Sequence, residues 1–191
     1  MELREVMEKR RSTREFSHKK IEREKIVDLI ECARWSPSAA NRQNWYFVVV
    51  EGKKKENIAD IMQRQLEKQK SYLDDITNPT KQYTATTSVM NSIRVILEVP
   101  ILILVFRKSN SNWLEGDYLS IGSAIEHICL RATDLGLGSL WIRDIVYTRR
   151  EIAKKVNHED MELVASVAIG YRAEFSYERK RKKLEDIMEW L

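Results

Sequence analysis

Ser36-Pro37-Ser38-Ala39-Ala40-Asn41-Arg42-Gln43-Asn44-Trp45 runs straight into Tyr46-Phe47-Val48-Val49-Val50. The second half is a β-branched and aromatic run, the composition of a strand. Upstream, Ile21 to Trp35 carries Ile26, Leu29, Ile30 and Ala33 at helical spacing, and Pro37 stops the pattern. A bare helix-to-strand connection needs only a few residues. This one adds hydrogen-bonding side chains (Ser38, Asn41, Gln43) and an aromatic, Trp45. Packing gives no reason for them, whereas loops carried on rigid elements are where chains meet ligands. The residues alone predict a loop built for a polar, planar partner.

Working outward, Leu3, Val6 and Met7 give residues 2–9 one apolar helical face. Between the two helices lies Arg10-Arg11-Ser12-Thr13-Arg14. Arg10 and Arg14 share a side whether the segment is helical or extended; Ser12 joins them only if it is extended. Two guanidiniums and a hydroxyl so placed suit a phosphate. A solvated basic turn is the other reading, and spacing leaves both open.

Downstream, Lys53 to about Lys70 reads as a charged helix with Ile58, Ile61, Met62 and Leu66 on its apolar edge. Residues 71–92, polar with Pro79 inside, read as an irregular excursion forming a lid or pocket wall. Ile101 to Phe106 is continuously apolar, as in a strand covered on both faces. Ile121, Ala124, Ile125, Ile128, Cys129, Ala132 and Leu135 give Leu114 to Leu135 the clearest helical period in the chain. Gly122 is expected to admit a close backbone there, and Gly136 to cap the helix. Strands follow at Leu137–Ile142 and Leu163–Ile169, separated by a short helix that Thr148-Arg149-Arg150-Glu151 opens as a capping box. The tail is basic at Arg179–Lys183, then amphipathic from Leu184 to Leu191.

The 191 residues suit one domain, 1–191, with a sizeable core. A hydrophobic share of 43% with 32% charged residues excludes a disordered chain. The formal charge of +4 does not point to nucleic acid. Cys32 and Cys129 fall in apolar helices and read as reduced core thiols. No apolar segment follows Met1–Glu5 and the longest apolar run, Val99–Phe106, is too short for a bilayer. A soluble, cytoplasmic protein is expected, with no membrane partner.

Side-chain catalytic sets are missing. His18, His127 and His158 are scattered, so no metal site is expected. No nucleophile elbow, Walker loop or dinucleotide fingerprint is present, and Gly136-Leu137-Gly138 alone signals only a cap and turn. A chain with basic clusters and an amide loop, but no nucleophile or base, suits either a bound cofactor that does the chemistry or a plain binding module.

Arg10-Arg11-Ser12-Thr13-Arg14 resembles the "R-R-S-x-R" of the nitroreductase family of flavin enzymes. Four further motifs follow in family order. Ala33-Arg34-Trp35-Ser36-Pro37-Ser38-Ala39-Ala40-Asn41-Arg42-Gln43-Asn44-Trp45 resembles "A-R-x-A-P-S-x-x-N-x-Q-P-W", and Leu135-Gly136-Leu137-Gly138-Ser139-Leu140-Trp141-Ile142 resembles "L-G-L-G-S-x-W-I". Ile169-Gly170-Tyr171 is similar to "I-G-Y-P", and Arg179 to Glu185 to "K-K-R-K-P-L-E-E".

The resemblance implies an α+β fold with a mixed, mainly antiparallel central sheet flanked by helices, in an intertwined homodimer with FMN at the subunit interface. It implies NADH or NADPH as co-substrate and a small-molecule acceptor such as a nitroaromatic or quinone. Both would use the same flavin face in turn, with no catalytic side chain. Arg10, Arg11, Ser12 and Arg14, with Arg179 and Arg181, would hold the phosphate and ribityl chain. Pro37, Ser38, Ala39 and Asn41, with Gln43 nearby, would come from the partner subunit. Leu137, Gly138 and Ser139 would approach the isoalloxazine edge. Asn44, Arg172 and Lys183 stand where the family has proline, which should loosen geometry more than chemistry. Residues 53–98 match no motif, although the family often supplies an asparagine from that region, and Asn91 is a candidate. Other readings are a specialised relative (flavin reductase, dehalogenase or flavin-destroying enzyme) or a non-catalytic flavin- or nucleic-acid-binding module.

Overall fold

A computed structural model describes residues 1–74, 79–108, 113–173 and 179–191. The strand with continuous apolarity, β2 (Ile101–Lys108), lies between β1 (Trp45–Glu51) and β4 (Met161–Gly170), and β3 (Gly138–Ile142) closes the order β1-β2-β4-β3. All three ladders are antiparallel; the parallel component is one bridge, Ser12 to Ser139.

Alternation along β2 divides the interior in two, because successive side chains point to opposite faces. Leu102, Leu104 and Phe106 pack with Ile58 and Met62 of α3 (Lys53–Asp74), Ile96 of α4 (Pro79–Glu98) and Ile152 of α6 (Arg149–Lys155). Ile101, Ile103 and Val105 pack instead with Leu29 of α2 (Arg23–Arg34) and Ile121, Ile125 and Ile128 of α5 (Leu114–Asp134). The sheet is a layer between two helical layers, with α1 (Leu3–Lys9) joining the α5 side.

Residues 71–92 depart from the expectation. Helix α3 continues to Asp74 and α4 begins at Pro79, while residues 75–78 lie outside the described set. Proline at the first helical position costs nothing, since that N–H has no partner in any helix. Ile93 and Ile96 then bury the α4 stripe. Lys55 secures the far end of α4, burying its ammonium against the carbonyls of Ile96, Leu97 and Val99, where the helix dipole is negative.

Three smaller expectations resolve differently. Gly136 does end α5 in the left-handed region, at φ 74°, with Leu137 N–H donating to Ala132 O at 2.7 Å. The capping box at Thr148 does not form; its hydroxyl donates back to Ile145 O at 3.0 Å within the preceding 3₁₀ turn. At Gly122 no backbone comes close among the described residues, and the neighbour is the Trp141 ring, 3.6 Å from where a Cβ would stand.

Candidate functional site

Arg10–Arg14 is extended, with α1 ending at Lys9. Thr13 turns inward while Ser12 and Arg14 stay exposed, so the extended alternative is the one adopted. The segment is fixed through its backbone. Thr13 N–H donates to Ser139 O at 2.9 Å, Ser17 N–H to Tyr171 O at 2.8 Å, and Ala173 N–H to Glu15 O at 3.1 Å. Ion pairs hold its flanks: Arg10 Nε to Glu126 Oε1 of α5 at 3.0 Å, and Arg94 of α4 to Glu15 at 2.8 Å. Gly138 permits this docking, since a Cβ there would stand 2.6 Å from Thr13 Oγ1 and 2.9 Å from Arg172 Cγ.

Beside the segment lies a cleft of about 270 Å³ lined by Arg14, Ser88, Asn91, Ser92, Leu140 and Arg143, among others. Among its described lining residues the carboxylate, Asp144, accepts at Oδ2 from Ser88 (2.7 Å) and Ser92 (2.9 Å). The α4 stretch expected to wall a pocket does so, as a helix.

The loop 36–45 contains a 3₁₀ turn, Ala39–Asn41, and three non-glycine residues in the left-handed region: Ala40 at φ 51°, Asn41 at φ 52° and Gln43 at φ 47°. Such conformations persist only where the surroundings impose them. Ser38 Oγ accepts Gln43 N–H at 3.1 Å and Gln43 Nε2 donates to Asn41 Oδ1 at 2.9 Å, so the polar tip is ordered yet exposed, as is Pro37. Trp45 is buried, packing with the α2–α5 side rather than facing a ligand. Asn44, in the family's proline position, is buried with both amide atoms unpartnered.

Leu137, Gly138 and Ser139 are buried, Leu137 among the α5 residues, so this turn presents backbone rather than side chains. Burial lifts the Cys129 thiol to about 11, with Ser139 opposing, which fits an inert core thiol; Cys32 is free and half-buried. Arg179 and Arg181 are exposed and form no hydrogen bond or ion pair with Arg10–Arg14 among the described residues. Arg172 appears in the sequence only as a missing proline, yet its Cγ lies over Gly138, 2.9 Å from where a Cβ would stand. Its guanidinium is pushed down from its ordinary value by burial and by nearby Arg11. No spacing rule finds that contact, which depends on register.

A strained amide loop, a docked arginine segment and a glycine-dependent turn occupy the places where the family motifs stand. The family model for the nitroreductase family matches residues 7–171. The chain belongs to the nitroreductase family. An oxygen-insensitive NADPH nitroreductase of Helicobacter pylori is 27% identical over 207 aligned positions, covering 98% of this chain and 96% of its own. A BluB-like flavoprotein from Clostridium difficile superposes with a TM-score of 0.89 at 27% identity, covering 100% and 99% of the two chains. The FMN- and NADPH-dependent nitroreductase NfnB, from a Sphingopyxis strain, shares the fold at TM-score 0.82 and 17% identity, covering 100% of this chain and 99% of that one. Among the described residues no metal-binding cluster occurs and no helix is long and apolar enough to cross a membrane.

Proposed function

We propose that residues 1–191 act as one FMN-binding domain of a cytoplasmic homodimer that passes reducing equivalents from NADH or NADPH to a small acceptor, a nitroaromatic or quinone. The observation that carries this is the pairing of a backbone-docked arginine segment with a cleft that carries Arg14 and Arg143 and whose carboxylate, Asp144, is engaged through Oδ2 by Ser88 and Ser92. That donor set fits an anionic phosphate and a planar ring edge. Arg10, Arg11, Ser12 and Arg14 would hold the phosphate and ribityl chain, with charge-assisted bonds of about 1.5–3 kcal/mol each. The amide of Asn91, which lines the cleft, would meet the ring edge. When bound, FMN supplies the hydride chemistry, so the side chains need only bind, orient and exclude water.

Two features support a dimer. Loop 36–45 docks near Asp117 and Arg10 docks at Glu126, nine residues apart on α5, or about 13 Å at 1.5 Å per residue. Within one chain the two walls are anchored that far apart on the helix, and a second copy would supply the facing wall. The tail is exposed throughout, including Leu184, Ile187, Met188 and Trp190. Such apolar exposure suits a tail that rests on a partner. Arg179 and Arg181 would then complete the partner's phosphate site.

An absorbance spectrum and cofactor extraction test the reading, followed by NADPH oxidation with a panel of acceptors. A yellow protein releasing FMN and reducing a nitroaromatic or quinone is expected. A colourless protein that FMN neither stabilises nor quenches would overturn it. A second reading, the specialised relative, draws on the likeness to the BluB-like flavoprotein and on 33% identity over 114 residues, 54% of this chain, to an iodotyrosine deiodinase of Hydra vulgaris. Turnover of an iodophenol, or of free flavin, in place of nitroaromatics would favour it.

A further inference from the structure

We infer that Asp117 is a positioning residue: through Arg42 it holds the strained loop 36–45 in the shape that meets the flavin. The inference rests on the proposed flavin site. Asp117 is fully buried at the start of α5, and its two oxygens take two guanidiniums, Arg42 of the loop and Arg107 of β2, the latter at 3.4 Å. Arg107 is bound on its other side by Glu162 Oε2 at 2.9 Å. Glu162 also accepts from Tyr118 and pairs with Arg149. The loop is thus wired to the central strands β2 and β4 by a charge chain whose inner members, Asp117 and Arg107, are buried.

The same turn of α5 supplies two further contacts. Ser120 Oγ accepts the Ala39 N–H at 3.0 Å while donating to Gly116 O at 2.5 Å. Gly116 lets the loop sit down, since a Cβ there would come within 3.1 Å of Ala39 Cβ. Gly116, Asp117 and Ser120 face the loop together. The anchored residues, Ala39 and Arg42, bracket Ala40 and Asn41, two of the three in the left-handed region. Ala40, Asn41 and Gln43 are themselves exposed, so among the described residues only the loop's own Gln43–Ser38 and Gln43–Asn41 bonds add to these anchors at the tip. A buried ion pair is a poor source of net stability but a strong constraint on geometry, because each partner left alone is costly. Here the constraint acts on the polar tip that faces the ligand.

The test is FMN titration of the full-length apo-protein by flavin fluorescence quenching, with visible circular dichroism of the saturated complexes. Wild type is compared with Arg42→Gln, Arg42→Lys and Asp117→Asn. Displacing a ligand-facing loop by about an ångström is expected to weaken FMN binding roughly tenfold to a hundredfold in Arg42→Gln and Asp117→Asn. It should also change the flavin's circular dichroism at saturation, which a loss of fold stability alone would not do. Arg42→Lys keeps the charge and should recover most of the affinity. Wild-type affinity and an unchanged spectrum in Arg42→Gln would overturn the inference. If Asp117→Asn fails to fold, Arg42→Gln decides alone, since Arg107 still neutralises Asp117 in that variant. Failure of wild type itself to bind FMN would instead overturn the flavin reading.

Discussion

The two walls of the candidate site are both irregular, both polar and both next to α5, yet they are held by different forces. Arg10–Arg14 is docked chiefly by backbone hydrogen bonds, Thr13 to Ser139 and its flanks to Tyr171 and Ala173, with Arg10 also paired to Glu126. Loop 36–45 is docked by side chains: Arg42 on Asp117, and Ala39 on Ser120. A backbone-docked wall should tolerate side-chain changes on its inner face, provided nothing fills the space that lets it dock. A side-chain-docked wall concentrates its fixation in a few atoms. Sensitivity to mutation should therefore differ between walls of similar appearance.

The largest expected effect lies at the second wall. Asp117→Ala leaves Arg107 and Arg42 short of a buried counter-charge and should cost about 3–5 kcal/mol in chemical denaturation. At the first wall the corresponding weak point is a glycine. Gly138→Ala forces a Cβ against Thr13 and Arg172, and about 1–3 kcal/mol of stability is expected to go. Ser120→Ala removes the acceptor for the Ala39 N–H, with a loss near 1 kcal/mol by the same denaturation measurement.

Acid should weaken the charge chain behind the second wall. Burial pushes the Glu162 carboxyl up, but Tyr118, Arg107 and Arg149 outweigh it and hold the group below its ordinary value of 4.5. A depressed carboxylate contributes stability that is present above its unfolded value and lost as pH falls through the folded one. Stability measured below about pH 4.5 should fall less steeply in Glu162→Gln than in wild type. Smallest of all is Thr13→Val. The Thr13 hydroxyl is buried without a partner, so its removal should change stability by less than about 1 kcal/mol or raise it. A large loss there would erase the distinction between the walls.

Much of this was legible in the sequence because it rests on period. The run Ile101–Phe106 signalled a strand covered on both faces, and the spacing from Ile121 to Ala132 signalled the helix that supports both walls. Of the motif residues, Ser12, Arg14 and Asn41 are exposed, as the proposed flavin contacts need. What spacing did not reveal was register and depth. Trp45 looked like a ligand-facing aromatic, but a strand's first residue follows the sheet's alternation and packs inward. Asp117 and Arg42 lie 75 residues apart and pair only because α5 starts beneath the loop. The helical character of α4 was hidden by its Thr- and Ser-rich first half, whereas its apolar stripe lies in the second half, where Ser92 and Ile93 are buried.

The central claim is that the two walls meet around one flavin across two copies of the chain. Flavin content after subunit mixing tests it most directly. One variant carries Arg10→Ala and Arg14→Ala, the other Arg42→Gln and Asn41→Ala, and each alone should bind little FMN. Random exchange between equal amounts creates mixed dimers with one intact site, and about a quarter of wild-type flavin should return. Flavin no higher in the mixture than in the separate variants would contradict the account.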